Sequence, residues 1–255
     1  MPQPGKGFGL MFRKGRYRVR IARNANDIKA AQELRYMAFA PTEIKNRIDC
    51  DEFDRICTHF LVEEVATGHL VCCFRMMYLE NSEDIGLSYS AQYYELSALK
   101  SYTGKMAEVG RFCIHPELND PDILRAAWAA MTKTVDENDI DLLFGCSSFK
   151  GTDERDYLDS FAVLKDRHLA PRRWLPRVKS PLVFKFAHKL RLRKPDIGKA
   201  MAKMPPLLKT YLLMGGWVSD HAVVDSQMNT LHVFTGLEIN AIPPARKRLL
   251  RATAK

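Results

Sequence analysis

The run THFLVEEVATGHLVCCFRMMYLE, Thr58–Glu80, decides the architecture. Two stretches rich in Val, Phe, Leu and Cys flank the polar turn ATGH (Ala66–His69), the pattern of two strands joined as a hairpin. Upstream, YRVRIARN (17–24) alternates and reads as an earlier strand. NDIKAAQELRYMAFAPTEI (26–44) sets Ile28, Ala31, Leu34 and Ala38 at helical spacing after an Asn/Asp start, with Pro41 as the stop. Downstream, KMAEVGRFCIHPE (105–117) is a strand closed by Pro116. DPDILRAAWAAMTKTVDEND (120–139) is a helix with Asp120 as cap and Pro121 at its first position. IDLLFGCSSF (140–149) is a buried strand and DERDYLDSFAVLKDRH (153–168) a helix. After a looser stretch, PPLLKTYLLMGGWVSD (205–220) gives a short helix ending at Gly215-Gly216, and HAVVD and TLHVFTGLEI give the last strands. A hairpin followed by βαβα predicts an α/β fold, a mixed central sheet with helices on both faces.

The 255 residues suit a single domain, with its core at about 17–164 and 204–240, a basic insertion at 165–203 and a basic, disordered tail at 243–255. No apolar run approaches the roughly 18 residues of a membrane span, and the basic N-terminus lacks the apolar core of a signal peptide. A cytoplasmic location is expected. Six cysteines are scattered without C-x-x-C or zinc spacing, so they read as small buried thiols, and no metal is expected. The net charge of +9 hides an asymmetry: +7 over residues 1–24, −12 over 25–164, +11 over 165–203 and +3 over 204–255. An acidic body thus carries two cationic segments. The second, with SPLVFKFAHKLRLRK (180–194), interleaves apolar and basic residues as a membrane-surface segment does.

Three clusters carry candidate chemistry. In EVGRFCI (108–114), strand alternation puts Glu108, Gly110 and Phe112 on one face and Val109, Arg111 and Cys113 on the other, and Gly110 invites a bulge. In DCDEFDR (49–55), Asp49, Asp51, Glu52 and Asp54 crowd before a strand; the register is wrong for a calcium loop, and the carboxylates either form a solvated loop or attract an ammonium group. Arg75 interrupts the apolar CCFRMM (72–77) and needs a partner, either Asp51/Asp54 or Glu108. Ser147 follows Gly145 at a strand end. There is no nucleophile elbow, P-loop or dinucleotide fingerprint.

Taken together and in order, LRYMAF, DCDEFD, FRMM and EVGRFCI resemble the acyl-homoserine lactone synthases, within the Gcn5-related N-acyltransferase (GNAT) fold. The segments LLFGCSSFKGTD (142–153) and PPLLKTYLLMGGWVSDHAVVDSQMNTLHVF (205–234) extend the resemblance to the ornithine N-acyltransferases, over nearly the whole chain. The chain departs from the lactone synthases after Phe39, where APTEIKNRI replaces their Trp-containing stretch. The resemblance implies an enzyme moving a 3-hydroxyacyl group from acyl carrier protein to the α-amino group of ornithine, giving lyso-ornithine lipid. The donor is then an acyl-phosphopantetheine, with no metal or redox cofactor. It implies Glu108 as the proton acceptor with Arg111 beside it as catalytic residues, and Arg35, Phe39, Asp51, Asp54, Arg75 and Ser147 as the substrate-binding set. A lactone synthase, an acyltransferase for another amino acid and a lipid-surface module without turnover are the alternatives. The turn IHPELNDPDILRAAW (114–128) fits a carrier-protein donor. Coenzyme A users of this fold carry a glycine-rich loop there, whereas Glu117, Asp120 and Asp122 would repel a pyrophosphate. The carrier protein is acidic, which gives the 165–203 segment two roles, docking it and touching anionic membrane. No nucleic-acid partner is expected.

Overall fold

The structure, a computed structural model, describes residues 10–39 and 48–253. Its elements are β1 (Leu10–Lys14), β2 (Tyr17–Ile21), α1 (Ala25–Phe39), β3 (Thr58–Glu64), β4 (Leu70–Leu79), β5 (Tyr94–Glu95), β6 (Lys105–Ile114), α2 (Pro121–Glu137), β7 (Ile140–Lys150) and α3 (Leu158–Arg167). There follow β8 (Arg177–Val178), β9 (Val183–Phe184), α4 (Phe186–Lys189), α5 (Ile197–Lys203), α6 (Pro206–Leu213), β10 (Trp217–Val218), β11 (Ala222–Asp225), β12 (Thr230–Glu238) and α7 (Pro244–Thr253). Two compact units divide the chain. One holds residues up to Met77, Arg111–Asn138 and the residues from Arg248 on; the other holds Tyr78–Gly110 and Asp139–Lys247.

In the first unit β1, β2, β3 and β4 pair antiparallel in sequence order. Paired residues share a face, so the register assigns the sides. Val19 opposes Val62, and Phe60 opposes Phe74, on one face; Arg20 opposes Leu61, and Leu61 opposes Cys73, on the other. Ala31 and Leu34 of α1 pack on Leu61, Cys73 and Cys113. On the opposite face the Tyr17 hydroxyl donates to Asp120 at 2.6 Å, and Asp120 in turn caps α2 by accepting from the Asp122 N–H at 2.9 Å. Helices therefore cover both faces of this unit's sheet, and the neighbours Cys72 and Cys73 face opposite sides. The Pro41 stop of α1 and most of APTEIKNRI lie outside the described residues.

In the second unit the start of β6 runs parallel to β7, from Lys105 opposite Ile140 to Glu108 opposite Phe144. β7 then pairs antiparallel with β12 along its length, and β11 and β9 follow. The core under α3 gathers Phe149, Phe161, Phe184, Phe186, Leu231 and Val233. Residues 165–203, expected as an insertion of loose pattern, supply part of that core. Phe184, Phe186, Leu190 and Ala200 are buried, and the Lys165 ammonium donates to the Leu190 carbonyl at 2.8 Å. Elements of two to seven residues are too short to show a period, which is why the sequence reads as irregular there. The tail is also more ordered than expected: α7 forms, and Arg251 makes two hydrogen bonds to Asp136 at 2.9 and 2.7 Å.

Beyond Glu108 opposite Phe144 the β6–β7 ladder stops. There Gly145 comes so close to β6 that a Cβ on it would lie 2.3 Å from the Val109 carbonyl oxygen. That contact is with backbone, which cannot swing aside. Gly145→Ala is expected to lose about 1–3 kcal/mol of stability, the scale of an overpacked core, measured by urea unfolding; an unchanged midpoint would show that the two strands yield there at no cost.

Candidate active site

Around α1 and the loop before β3, three arginines and three aspartates interlock. Arg35 is 1% exposed, and Arg75 and Asp54 are also buried. Asp54 accepts from Arg35 Nη1 at 2.6 Å, from Arg75 Nη1 at 2.5 Å and from the Gln32 amide at 2.8 Å. Arg75 forks onto both oxygens of Asp51, at 2.5 and 2.7 Å. Arg35 Nε and Arg111 Nε both donate to Asp49 Oδ2 at 2.9 Å, and Arg111 Nη2 reaches Asp51 at 3.0 Å. The local sequence makes this possible. Asp51 and Asp54 form a reciprocal capping box on the turn Glu52–Arg55, which aims their carboxylates at the strand that carries Arg75.

The three guanidinium charges balance the three carboxylates. Burial works to raise the Asp54 and Asp51 carboxyls, but hydrogen bonds from Arg35 to Asp54 and from Arg75 to Asp51 overcome it and hold both below the usual range. For Arg35, burial opposes the charge and the bonds to Asp54 and Asp49 restore it, leaving its pKa raised. His59 donates from Nε2 to the Asp54 carbonyl at 3.0 Å, and burial pulls its pKa down. Of the two partners foreseen for Arg75, the structure selects Asp51/Asp54. Within this set each aspartate is bonded to arginine side chains. Phe39 packs on the Leu34–Leu61–Cys73–Cys113 cluster at the end of α1. In this stretch it is Arg111, and not Gly110, that takes a left-handed backbone, with φ 51°.

Glu108 stands in a different setting in the second unit. It is 4% exposed, and its carboxylate accepts from the backbone N–H groups of Tyr89 (2.8 Å) and Ser90 (2.7 Å) and from the Ser90 hydroxyl (2.6 Å). These are charge-assisted bonds that fix the turn Ser90–Gln92 against β6. The carboxylate read from the sequence as a proton acceptor is thus one held by these three donors. Ser90 Oγ also lies 3.4 Å from Cys146 Sγ, so on β7 it is Cys146 that shares the face of Glu108. Ser147, placed in the substrate-binding set, faces the other way: it opposes Val233 of the α3-side core, and its hydroxyl accepts from Thr235 at 2.9 Å. The structure does not bring it to Glu108.

Sequence reasoning left out the Tyr89–Tyr94 segment and His232. Tyr94 donates its one hydroxyl proton to the His232 carbonyl at 2.8 Å, and its oxygen also lies 3.2 Å from His232 Nδ1. The phenol must then accept in the second contact, which assigns the proton to Nδ1. Burial pulls the imidazole down to about 4, so it is neutral. No local signal marks these residues, because the partners of Glu108 and Tyr94 are respectively 18 or 19 and 138 positions away.

The acetyltransferase (GNAT) domain family matches residues 34–129, a span holding all the expected site residues except Ser147. An L-ornithine N(alpha)-acyltransferase of Rhodobacter capsulatus is 30% identical over 239 residues, covering 89% of this chain and 91% of that protein. This chain belongs to that acyltransferase family. The acyltransferase is equally similar, 30% over 250 residues, to the L-ornithine N(alpha)-acyltransferase of Brucella abortus, covering 91% of this chain and 88% of that one. Among solved structures, FeeM, an N-acyl amino acid synthase from uncultured soil microbes, aligns over 94% of this chain and 97% of its own with a TM-score of 0.47 and 13% identity. The GNAT fold read from the sequence is the fold of this acyltransferase. None of its described helices is long and apolar enough to cross a membrane.

Removing the Asp54 charge leaves three buried or half-buried guanidinium groups sharing Asp49 and Asp51, so Asp54→Asn is expected to cost about 3–5 kcal/mol at neutral pH. Depressed carboxyls stabilise the fold above their unfolded value, near 3.8 here, and lose that contribution as pH falls through the folded value. The stability gap between wild type and Asp54→Asn should therefore narrow below about pH 4, read from urea midpoints at stepped pH; a gap that widens on acidification would contradict the network.

Proposed function

We propose that the enzyme transfers a 3-hydroxyacyl group from acyl carrier protein to the α-amino group of ornithine, releasing lyso-ornithine lipid. The observation that carries this reading is the near full-length match to curated L-ornithine N(alpha)-acyltransferases. The amine nitrogen attacks the thioester carbonyl, the C–N bond forms and the C–S bond breaks. Glu108 receives the proton the amine gives up, directly or through a water, and the departing thiolate is protonated to the pantetheine thiol. A carboxylate has about four lone-pair positions. With three already engaged, its orientation is fixed before substrate arrives. Amide N–H groups of β6 near Val109–Phe112 are assigned to polarise the carbonyl and hold the developing oxyanion.

The donor assignment has support at α2. Its N-terminus already accommodates a carboxylate of this chain, since Asp120 caps the Asp122 N–H and is bound by Arg16 and Tyr17. The Tyr17 hydroxyl, with the Asp122 N–H and Arg16, holds the Asp120 carboxyl near 2, so it is ionised where a pyrophosphate would need a positive pole. A phosphopantetheine arm on a protein needs no such pole. Residues 165–203 are assigned to docking that carrier protein and an anionic membrane face. Phe184 and Phe186 are buried in the core, while Arg191, Leu192, Arg193 and Lys194 are exposed, Leu192 at 86%.

Purified enzyme should make acyl-ornithine from 3-hydroxyacyl carrier protein and ornithine. It should make little from the same acyl coenzyme A, and no lactone from S-adenosylmethionine. Equal use of the coenzyme A thioester would remove the donor assignment. Glu108→Gln should lower kcat by about two to four orders of magnitude, while Ser90→Ala, which loses one donor, keeps most of it. If both variants fall alike, Glu108 serves the Tyr89–Ser90 turn rather than the proton.

A further inference from the structure

Away from these residues, on the α1 face of the first unit's sheet, a cavity of about 310 Å³ is lined by Arg13, Arg18, Arg20, Arg23 and Val65. Arg13 and Arg18 are direct cross-strand partners in the β1–β2 register. Like charges so placed repel. Arg20 is saturated: Asp27 takes Nη1 and Nη2 at 2.7 Å each, and Glu63 takes Nε at 2.9 Å. The same Glu63 accepts from Arg18 Nε at 2.6 Å. Those two carboxylates are the anions bound to the cluster. Among the described residues the guanidinium groups of Arg13 and Arg23 have no hydrogen-bonded or ion-paired partner, and both residues are exposed. Four cations therefore face two anions around one concavity.

Protection of a sheet edge explains a charge on β1, where Arg13 sits. It does not explain Arg18, which is on the inner strand β2, or Arg23, which lies past the strand end. A nucleic acid would need a longer cationic track with aromatic platforms, and an acidic helix of a protein partner would present its carboxylates to a convex surface rather than a recess. A compact oxyanion with two negative charges fits both the shape and the charge excess, and guanidinium forks match phosphate geometry.

We propose that the recess formed by Arg13, Arg18, Arg20 and Arg23 is a binding site for a phosphomonoester dianion, supplied either as a free phosphate compound or as the headgroup of an anionic lipid. Arg13 and Arg23 supply the unneutralised forks, and Arg18 contributes the two terminal nitrogens that Glu63 leaves unused. Arg20, fully paired, holds Glu63 and Asp27 away from the ligand. The proposal is independent of the acyl-transfer reading, because it concerns binding without turnover.

The test titrates the full chain with inorganic phosphate and with glycerol 3-phosphate by calorimetry, and measures co-sedimentation with phosphatidylcholine vesicles containing phosphatidic acid. Arg13→Gln/Arg23→Gln is compared with a control of equal charge loss, Arg246→Gln/Arg248→Gln on α7. Among the described residues the lost side chains make no ion pair, so both variants should keep the wild-type thermal midpoint. Binding of either probe class that weakens about tenfold or more in the first variant and not in the control supports the site. Loss confined to the soluble probes assigns a free phosphate compound, and loss confined to vesicles assigns a lipid headgroup. Wild-type protein that binds none of the probes, equal weakening in both variants, or a recess variant that binds as wild type overturns it; so does binding of acidic carrier protein, alone, that depends on these arginines.

Discussion

Asp54 accepts from Arg35 and Arg75 at once, and that shared carboxylate is the constraint on which the first unit is built. Neither guanidinium has water to fall back on, and an uncompensated buried charge costs several kcal/mol. The helix carrying Arg35, the turn carrying Asp51 and Asp54, and the strand carrying Arg75 must therefore meet in one arrangement. Apolar packing alone tolerates sliding of a helix over a sheet. A set of bidentate ion pairs with distances near 2.5–2.9 Å does not. Arg111 extends the same frame to β6 through Asp49 and Asp51.

The second unit fixes its own polar centre by a different device. Backbone amides of Tyr89 and Ser90 and the Ser90 hydroxyl hold Glu108. A carboxylate held this way draws a short turn onto the sheet and brings Tyr89, Ser90 and Cys146 to one face. Tyr94 and the neutral His232 add a hydrogen-bonded pair in the same unit. The positioning of Glu108 thus depends on backbone geometry, while that of Arg111 depends on countercharge. Substitutions at the two residues, three apart on one strand, will disturb the protein through different physics.

The basic character of the chain resolves into separate parts once the structure is in view. Within residues 165–203 Phe184 and Phe186 are core while Arg191, Arg193 and Lys194 are exposed, so the same segment packs the fold and presents charge. At the N-terminal end, four arginines gather around a recess with two carboxylates between them. Composition registered both as positive charge and could not tell a solvated face from a concave one.

Local pattern determined a good part of this protein. The 58–80 hairpin, the α2 boundaries with Asp120 and Pro121, the strands at 105–114 and 140–150 and the mixed α/β class follow from alternation, helical spacing and capping chemistry, which act over a few residues. The residue types of the frame were legible too, because a charged side chain in an apolar strand demands a partner. Tertiary structure alone decided which partner. It chose Asp51 and Asp54 over Glu108 for Arg75, turned Ser147 to the far face and put Cys146 in its place, gave Glu108 its three donors, folded 165–203 into the core and set Arg13 opposite Arg18. Each of these depends on register and on contacts between residues far apart in the chain, and no short-range preference carries that information.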